Sequence, residues 1–183
     1  FAFLCAATVL FFGARIANVA QYGRESLDPR DIAQALSAIP RASTPLFGSP
    51  PSQELASSVF RGGEREGRPL VFNTQWDIFP ILFFARPDLA YLVGMDPMIL
   101  FRAGDPALFW RWHALSRDLL TVCPQEQCAR YENIPSVLKD DFQARYVVAP
   151  VKRNPQVIRY MTARTDAFSL LAQNNTLAVF AIK

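Results

Sequence analysis

Residues 69–73 read Pro-Leu-Val-Phe-Asn, a short and almost entirely apolar run with a turn-forming residue at each end. The same pattern returns at residues 90–94, Ala-Tyr-Leu-Val-Gly, and at residues 145–149, Arg-Tyr-Val-Val-Ala. Runs of this kind suit strands that are buried on both faces, as in a parallel sheet covered by helices. The sequence therefore predicts three parallel strands in one sheet.

Segments with helical character separate these runs, at about 77–85, 105–120 and 134–143. Alternation of strand and helix is typical of βαβ units and of a right-handed, mostly parallel sheet. Near the end of the chain, residues 168–173 and 177–182 flank Asn174-Asn175-Thr176, a sequence suited to a tight hairpin turn. The predicted fold class is α/β, with a three-layer architecture, a mostly parallel sheet and a C-terminal antiparallel hairpin.

Three dipeptides carry the signal that opens a helix, a capping side chain followed by proline: Asp28-Pro29, Asp105-Pro106 and Asn154-Pro155. The first predicts a helix over 29–39. A further helix is expected over 52–61, where Gly62-Gly63 would end it.

The first thirteen residues, Phe1–Gly13, are uncharged and strongly apolar, and the first charge is Arg15. The run is shorter than the ~20 residues that a membrane-spanning helix needs, and it lacks the charged start and cleavage site of a signal peptide. We expect it to be the end of a transmembrane helix; a buried helix of a soluble protein is the alternative. The expected organisation is this helix end (1–13), a helical connecting region (14–68) and a soluble α/β domain (69–183).

The charges exclude one class of partner. Nineteen basic and sixteen acidic residues give a net charge of +3 and form no basic block, so nucleic acid is not expected to bind. Cys123 and Cys128 bracket four residues and either close a local disulfide or stay as two free thiols, whereas Cys5 lies in the apolar run. With one histidine, His113, a zinc site lacks ligands.

No enzymatic signature is present, and no cofactor is expected. Residues 61–67 are glycine-rich but lack both the spacing of a phosphate-binding loop and a preceding strand. A Gly-x-Ser-x-Gly elbow is also absent from the sequence. His113 lies among aromatic residues and is interpreted as a packed or surface histidine. We predict no catalytic residue in this chain.

A ligand site is predicted where the loops after the three strands meet, because ligands of open α/β sheets bind beyond the carboxyl ends of the strands. A sugar that bears phosphate or an acidic head group would suit an indole for stacking beside carboxylates, an amide and cations. The candidate residues are Asn73, Trp76, Asp77, Asp96, Lys152 and Arg153. The alternative is structural: Asp77 caps the following helix, Asp96-Pro97 opens a turn, and Trp76 covers the sheet edge.

Residues 76–84 are rich in aromatic side chains. Phe79, Phe83 and Phe84 recur at helical spacing, which predicts that they pack in the core. The alternative is that part of this run contacts lipid or a membrane domain.

The middle of the chain resembles a known family. The resemblance lies in residues 71–80 (Val-Phe-Asn-Thr-Gln-Trp-Asp-Ile-Phe-Pro), 82–84 (Leu-Phe-Phe), 91–97 (Tyr-Leu-Val-Gly-Met-Asp-Pro) and 142–148 (Phe-Gln-Ala-Arg-Tyr-Val-Val). These runs are similar to the soluble tail of multi-pass bacterial membrane proteins related to the GT-C glycosyltransferases, which use lipid-linked sugars. The protein mannosyltransferases and the aminoarabinose transferase are members. The resemblance covers residues 70–183.

The resemblance implies a bundle of transmembrane helices upstream, in the bacterial inner membrane, and a tail on the extracytoplasmic side. In such enzymes the catalytic acidic residues belong to loops of the membrane part, so none is carried over to this chain. The tail would have an accessory role, facing the acceptor or bracing the membrane domain. Its partners would be that upstream domain, the membrane, and a lipid-linked sugar or glycan acceptor.

The side of the membrane and the function each have an alternative. Arg15 and Arg24 follow the apolar run, and positive charge there favours the cytoplasmic side, although downstream domains can translocate regardless of charge. The chain is alternatively a membrane-anchored module that binds glycan or lipid head groups by itself, or a self-sufficient α/β enzyme.

Overall fold

The computed structural model describes residues 27–41, 68–94, 96–103, 106–121 and 133–183. The strands are β1 (Leu70–Asn73), β2 (Ala90–Tyr91), β3 (Tyr146–Pro150), β4 (Phe168–Gln173) and β5 (Leu177–Ile182). The helices are α1 (Pro29–Leu36), α2 (Phe79–Ala85), α3 (Met98–Ala103), α4 (Pro106–Ser116), α5 (Ile134–Ser136), a π-helix (Val137–Asp141) that continues α5, and α6 (Pro155–Ala163).

The five strands form one mixed sheet in the order β2-β1-β3-β5-β4. Strand β1 pairs in parallel with both β2 and β3, while β5 is antiparallel to β3 and to β4. An α/β fold and a C-terminal antiparallel hairpin are thereby confirmed. The sheet places Val71 opposite Tyr91 on one side and opposite Tyr146 on the other.

Strand β2 ends at Tyr91, whereas the sequence predicted a strand that continues to about Gly94. The Leu92 N–H still donates to the Val71 carbonyl at 2.9 Å. The Asn73 side chain then takes the place of a neighbouring strand: its oxygen accepts from the Val93 N–H at 3.1 Å and its amide donates to the Val93 carbonyl at 2.7 Å. Hydrogen bonds from the Asn73 side chain therefore replace the backbone hydrogen bonds between strands at this point.

Alternate residues of the strands pack into cores on the two faces of the sheet, as strand geometry requires. On one face, Phe72, Val147 and Phe180 pack with apolar residues of α4, the π-helix and α6, namely Trp112, Leu115, Leu138, Val157 and Met161. On the other face, Val71, Val148 and Val179 pack with residues of α1 and α2, namely Ile32, Leu36 and Leu82. Burial on both faces explains why β1, β3 and β5 are almost entirely apolar.

Helix α1 begins as its sequence predicts, since the Asp28 carboxylate accepts from the Arg30 N–H at 2.8 Å. The helix ends at Leu36, three residues before the predicted end, and turns continue to Ile39.

Helix α4 ends at Ser116, earlier than the predicted residue 120. Asp118 follows with a φ of 61°, the left-handed conformation that often ends a helix. The Leu119 N–H donates to the Ala114 carbonyl at 2.9 Å and the Asp118 N–H to the Leu115 carbonyl at 3.1 Å, which satisfies the last carbonyls of the helix. The residue in this position is an aspartate, so no glycine in the sequence marks the end.

Several predictions concern residues that the structure does not describe. They are the transmembrane end at 1–13, the helix at 52–61, the cap at Asp105, and the pairing of Cys123 with Cys128. Within the described ranges, no helix is long and apolar enough to cross a bilayer.

Candidate functional site

The loops that follow β1 and β3 meet at one end of the sheet, which we call the carboxyl edge and define as Asn73–Asp77 together with residues 151–154. The Thr74 N–H donates to the Val148 carbonyl at 3.1 Å. Further out, Arg153 Nη1 donates to Asp77 Oδ2 at 2.6 Å. Two of the predicted site residues are therefore brought together as an ion pair, by parallel strands that deliver their loops to the same edge.

Asn73 lies beneath this edge and not on its surface, since it has no exposed area. Besides its two bonds to Val93, its amide donates to the Gln75 carbonyl at 3.2 Å. The Asn73 carbonyl in turn accepts from the Trp112 indole N–H at 3.1 Å. Asn73 thus links β1 to the segment after β2 and to helix α4.

A second buried group of polar side chains lies between the two loops and the end of α4. The Thr74 hydroxyl donates to Asn154 Oδ1 at 2.8 Å, and Gln75 Nε2 donates to the Ser116 carbonyl at 2.6 Å. Asn154 Nδ2 donates to the Leu115 carbonyl at 2.9 Å. Thr74, Gln75 and Asn154 were not among the predicted site residues. The signal in the sequence that could have identified them is that they are polar residues directly after apolar strands.

Asn154 was predicted to cap helix α6 with its side chain, and this prediction is wrong. The residue occupies the N-cap position, but its side chain makes no capping bond. The cap comes instead from Asp118, whose carboxylate accepts from the N–H groups of Gln156 at 3.0 Å and Val157 at 2.9 Å. The Asn154 side chain is bonded to Thr74 and Leu115 instead. A residue distant in sequence, Asp118, therefore accepts from the free N–H groups at the start of α6.

The outer surface of the carboxyl edge carries the remaining candidates. Trp76 is 46% exposed and Lys152 is exposed. Asp77 does not cap helix α2: the N-cap is Ile78 and has no side-chain bond, whereas the Asp77 carboxylate is bonded to Arg153. That alternative is therefore wrong.

The Asp96 side chain is bonded to the backbone two residues along the chain. Its carboxylate accepts from the Met98 N–H at 2.8 Å, where helix α3 begins. The structural alternative, in which Asp96-Pro97 opens a turn, agrees with this contact.

His113 packs among aromatic rings. Its imidazole stacks on Phe109 with the ring centres 5.7 Å apart and meets Trp110 edge-on at 5.7 Å. Burial, with a smaller effect of the Arg117 charge, lowers the pKa of His113, which favours its neutral form. These contacts agree with a packed histidine.

The prediction that Phe79, Phe83 and Phe84 pack in the core is wrong for two of them. Phe83 is 42% exposed and Phe84 is 84% exposed, whereas Phe79 is half-buried. The reason is the direction in which α2 faces the sheet. Leu82 points into the core, and this orientation places the two residues after it on the outer side of the helix.

The described side chains of this edge are an indole, an ion pair, an ammonium group and buried amides. Among the described residues, no three His, Cys, Asp or Glu side chains lie together as a metal site would require. Neither a known protein-family model, nor a curated protein, nor a solved structure matches this chain. The arrangement offers a ring, an ion pair and an ammonium group over a buried amide network.

Proposed function

We propose that this chain is the non-catalytic, extracytoplasmic C-terminal domain of a GT-C-like membrane glycosyltransferase in the bacterial inner membrane. Transfer of the sugar from a polyprenyl-phosphate donor belongs to the membrane part, whose last transmembrane helix ends in residues 1–13. The domain has three layers and an accessory role, in which the carboxyl edge contacts the membrane domain or the acceptor.

One observation carries this proposal. At the carboxyl ends of β1 and β3, the side chains of Asn73, Thr74 and Asn154 are buried and bonded to one another or to backbone, as the Thr74–Asn154 bond shows. Trp76 and the outer phenylalanines of α2 are turned outward. General acid–base chemistry needs a titratable group that reaches the substrate. Amides and a hydroxyl that hold the fold together, beside exposed rings, favour docking.

The ion pair between Asp77 and Arg153 supports the same role. Its side chains are 40% and 13% exposed, so it lies at the rim of the edge. Rim charges of this kind align partners and contribute little to affinity. A docking surface with an aromatic centre and a charged rim matches the usual anatomy of protein interfaces.

The test uses the full-length protein in membrane vesicles and measures sugar transfer to the acceptor. Trp76→Ala and Lys152→Ala are combined in one variant, because both side chains are exposed at the carboxyl edge. Loss of an exposed aromatic anchor from an interface typically weakens it by ~2 kcal/mol, more than tenfold, and transfer should fall to a similar extent. The matched control is Leu170→Ala, because Leu170 is also 46% exposed but lies on β4, at the other end of the sheet. If the double variant folds, inserts and transfers sugar as well as the wild type, the edge is scaffold and the proposal fails.

A second function is favoured by the exposure of both Trp76 and Lys152 on the two loops of the carboxyl edge. An indole for stacking and a cation suit a glycan or a phosphorylated head group, as in a membrane-anchored binding module. The sequence upstream separates the two functions: eight or more apolar spans support the transferase, and a single span supports the module.

A further inference from the structure

Helix α2 has no polar side chain. Its residues Phe79–Ala85 read Phe-Pro-Ile-Leu-Phe-Phe-Ala, and only Leu82 among them is fully buried. Phe84 exposes 84% of its surface. A surface helix normally carries polar residues on its outer face, and one that is apolar all round is normally covered all round. The outer face of α2 therefore has the composition of a covered surface.

Four aromatic residues form a stripe along this helix, which we define as Trp76, Phe79, Phe83 and Phe84. The Phe79 and Phe83 rings lie 5.7 Å apart and the Phe83 and Phe84 rings 6.4 Å apart. Trp76 lies one turn before, since the Phe79 N–H donates to its carbonyl at 3.0 Å. The aromatic stripe thus runs from the carboxyl edge along the outer side of α2.

The upstream chain enters the domain at that same edge. Asn174 Nδ2 donates to the Asp31 carbonyl at 2.8 Å, and the Thr176 hydroxyl donates to the Asp31 carboxylate at 2.9 Å. The Thr176 carbonyl accepts from the Val151 N–H at 3.0 Å, immediately after β3. These bonds hold the first turn of α1 at the carboxyl edge.

Helices α1 and α2 lie side by side and start at the same edge. At their far ends, Arg86 Nη1 donates to the carbonyls of Leu36 and Ile39, both at 2.8 Å. Trp76 and the start of α1 therefore lie at the same end of the sheet.

The length of the connection limits how far this edge lies from the apolar run. Residues 14–26 separate Phe1–Gly13 from Leu27. A fully extended chain spans about 3.5 Å per residue, so thirteen residues reach at most about 45 Å. If residues 1–13 end in the bilayer, the start of α1 lies within about 45 Å of it.

We infer that the aromatic stripe lies in the interfacial zone of the lipid bilayer and holds the carboxyl edge toward the membrane. This inference rests on the proposed function, since it needs the anchor at residues 1–13. Lipid is the occupant that suits α2, because a helix without hydrogen-bonding side chains has nothing to offer a sugar or a polar peptide. Phenylalanine and tryptophan are the residues that settle at the boundary between head groups and acyl chains.

The test uses the full chain in vesicles of phosphatidylethanolamine and phosphatidylglycerol. Cys5, Cys123 and Cys128 are replaced by serine, and one polarity-sensitive dye is attached after Phe84→Cys. Leu170→Cys is the matched control, as an exposed apolar residue on β4. Quenching is measured with nitroxide-bearing lipids and with iodide in the water. Phe84 is so exposed that its replacement should leave the circular dichroism spectrum unchanged.

We expect nitroxide lipids to quench the dye at position 84 and iodide to quench the dye at position 170. Quenching of position 84 by iodide overturns the inference. Quenching by neither agent also overturns it, because protein then covers the stripe.

A third variant, Thr8→Cys, tests the anchor separately. If lipid quenches position 8 and iodide quenches position 84, the anchor of the proposed function stands and the inference fails. If iodide quenches position 8 and lipid quenches position 84, the stripe binds the membrane and the proposed anchor fails.

Discussion

The Thr74 hydroxyl donates a 2.8 Å hydrogen bond to the side-chain oxygen of Asn154, eighty positions further along the chain. Both residues are fully buried. The bond joins the loop after β1 to the start of α6, and Asn154 also reaches the Leu115 carbonyl at the end of α4. Three elements of the fold are thus held by one amide, and Asp118 takes over the capping of α6.

Replacement of Asn154 by alanine should be strongly destabilising. It leaves the buried Thr74 hydroxyl without its 2.8 Å acceptor and removes one of the two N–H donors to the Leu115 carbonyl, and the loss of a buried bond costs about 1–3 kcal/mol. We expect the free energy of unfolding to fall by roughly 2–4 kcal/mol, measured by urea denaturation. Asn175→Ala, at an exposed position, is the control and should change it by less than about 0.5 kcal/mol. Equal effects of the two substitutions would contradict the network.

Substitutions at Asp118 should separate its two roles, the cap of α6 and the left-handed turn after α4. Asp118→Asn keeps an acceptor and tolerates the positive φ, so it should be mild. Asp118→Gly keeps the turn but loses the cap, at a cost of about 1 kcal/mol. Asp118→Ala loses both and should cost about 1 kcal/mol more. The melting temperature should fall in the order Asp118→Asn, Asp118→Gly, Asp118→Ala. If the Asp118→Gly variant were as stable as the Asp118→Asn variant, the side chain of residue 118 would not cap the helix.

The pair of Arg86 with Asp88 should make stability depend on pH in acid. Arg86 is buried, and its guanidinium bonds both Asp88 carboxylate oxygens, at 2.7 and 2.6 Å. The hydrogen bond to Arg86 lowers the pKa of Asp88 below its ordinary value of 3.8. The unfolded chain therefore takes up the proton first. The contribution is complete above pH 3.8 and is lost as the pH falls through the lower, folded pKa.

Asp88→Asn should thus lower the free energy of unfolding at pH 7 by about 1–3 kcal/mol, because the buried Arg86 loses its counter-charge. The difference from the wild type should shrink as the pH falls below 3.8. Asp166→Asn is the matched control: Arg164 and Asp166 have the same spacing, and Arg164 likewise lowers the pKa of Asp166, but their side chains are 40% and 65% exposed. Denaturant titrations at several pH values measure both variants. If Asp88→Asn lowered the free energy of unfolding by the same amount at every acid pH, the charge of Asp88 would not contribute to stability.

A chain that begins at Leu27 should fold without detergent. It keeps α1, its Asp28 cap and every described residue of both cores. Circular dichroism and sedimentation in water test this. A chain that begins at Arg41 is the control and should unfold, because it loses Ile32, Leu36 and Ile39 from the core. Unfolding of the longer chain would mean that residues 1–26 pack on the domain.

The positions of the strands and helices follow from local pattern. Val71, Val147 and Val179 lie in strands that the apolar runs predicted, because burial on both faces requires apolar residues throughout and this is visible in a few residues. The hairpin followed for the same reason, since its turn lies between its two strands. The Asp28 cap was predicted correctly because the bond reaches only two residues along the chain.

The positions of the candidate site residues were predicted in part. The rule that parallel strands deliver their loops to one edge brought Asp77 and Arg153 together correctly. It did not show which side chains turn inward. Asn73 was predicted as a ligand-binding residue and lies buried, where its amide bonds a segment twenty positions away.

Sequence alone determined the α/β class, the order of the strands along the chain and the apolar character of α2, since these depend on residue type and on short spacings. Tertiary structure alone decided that Asp118 rather than Asn154 caps α6, that Asn73 ends strand β2, and that Leu82 rather than Phe84 faces the sheet. In each of these cases the deciding contact joins residues that are distant in sequence. Several local choices satisfy the same pattern, and the packing of the whole domain selects one of them.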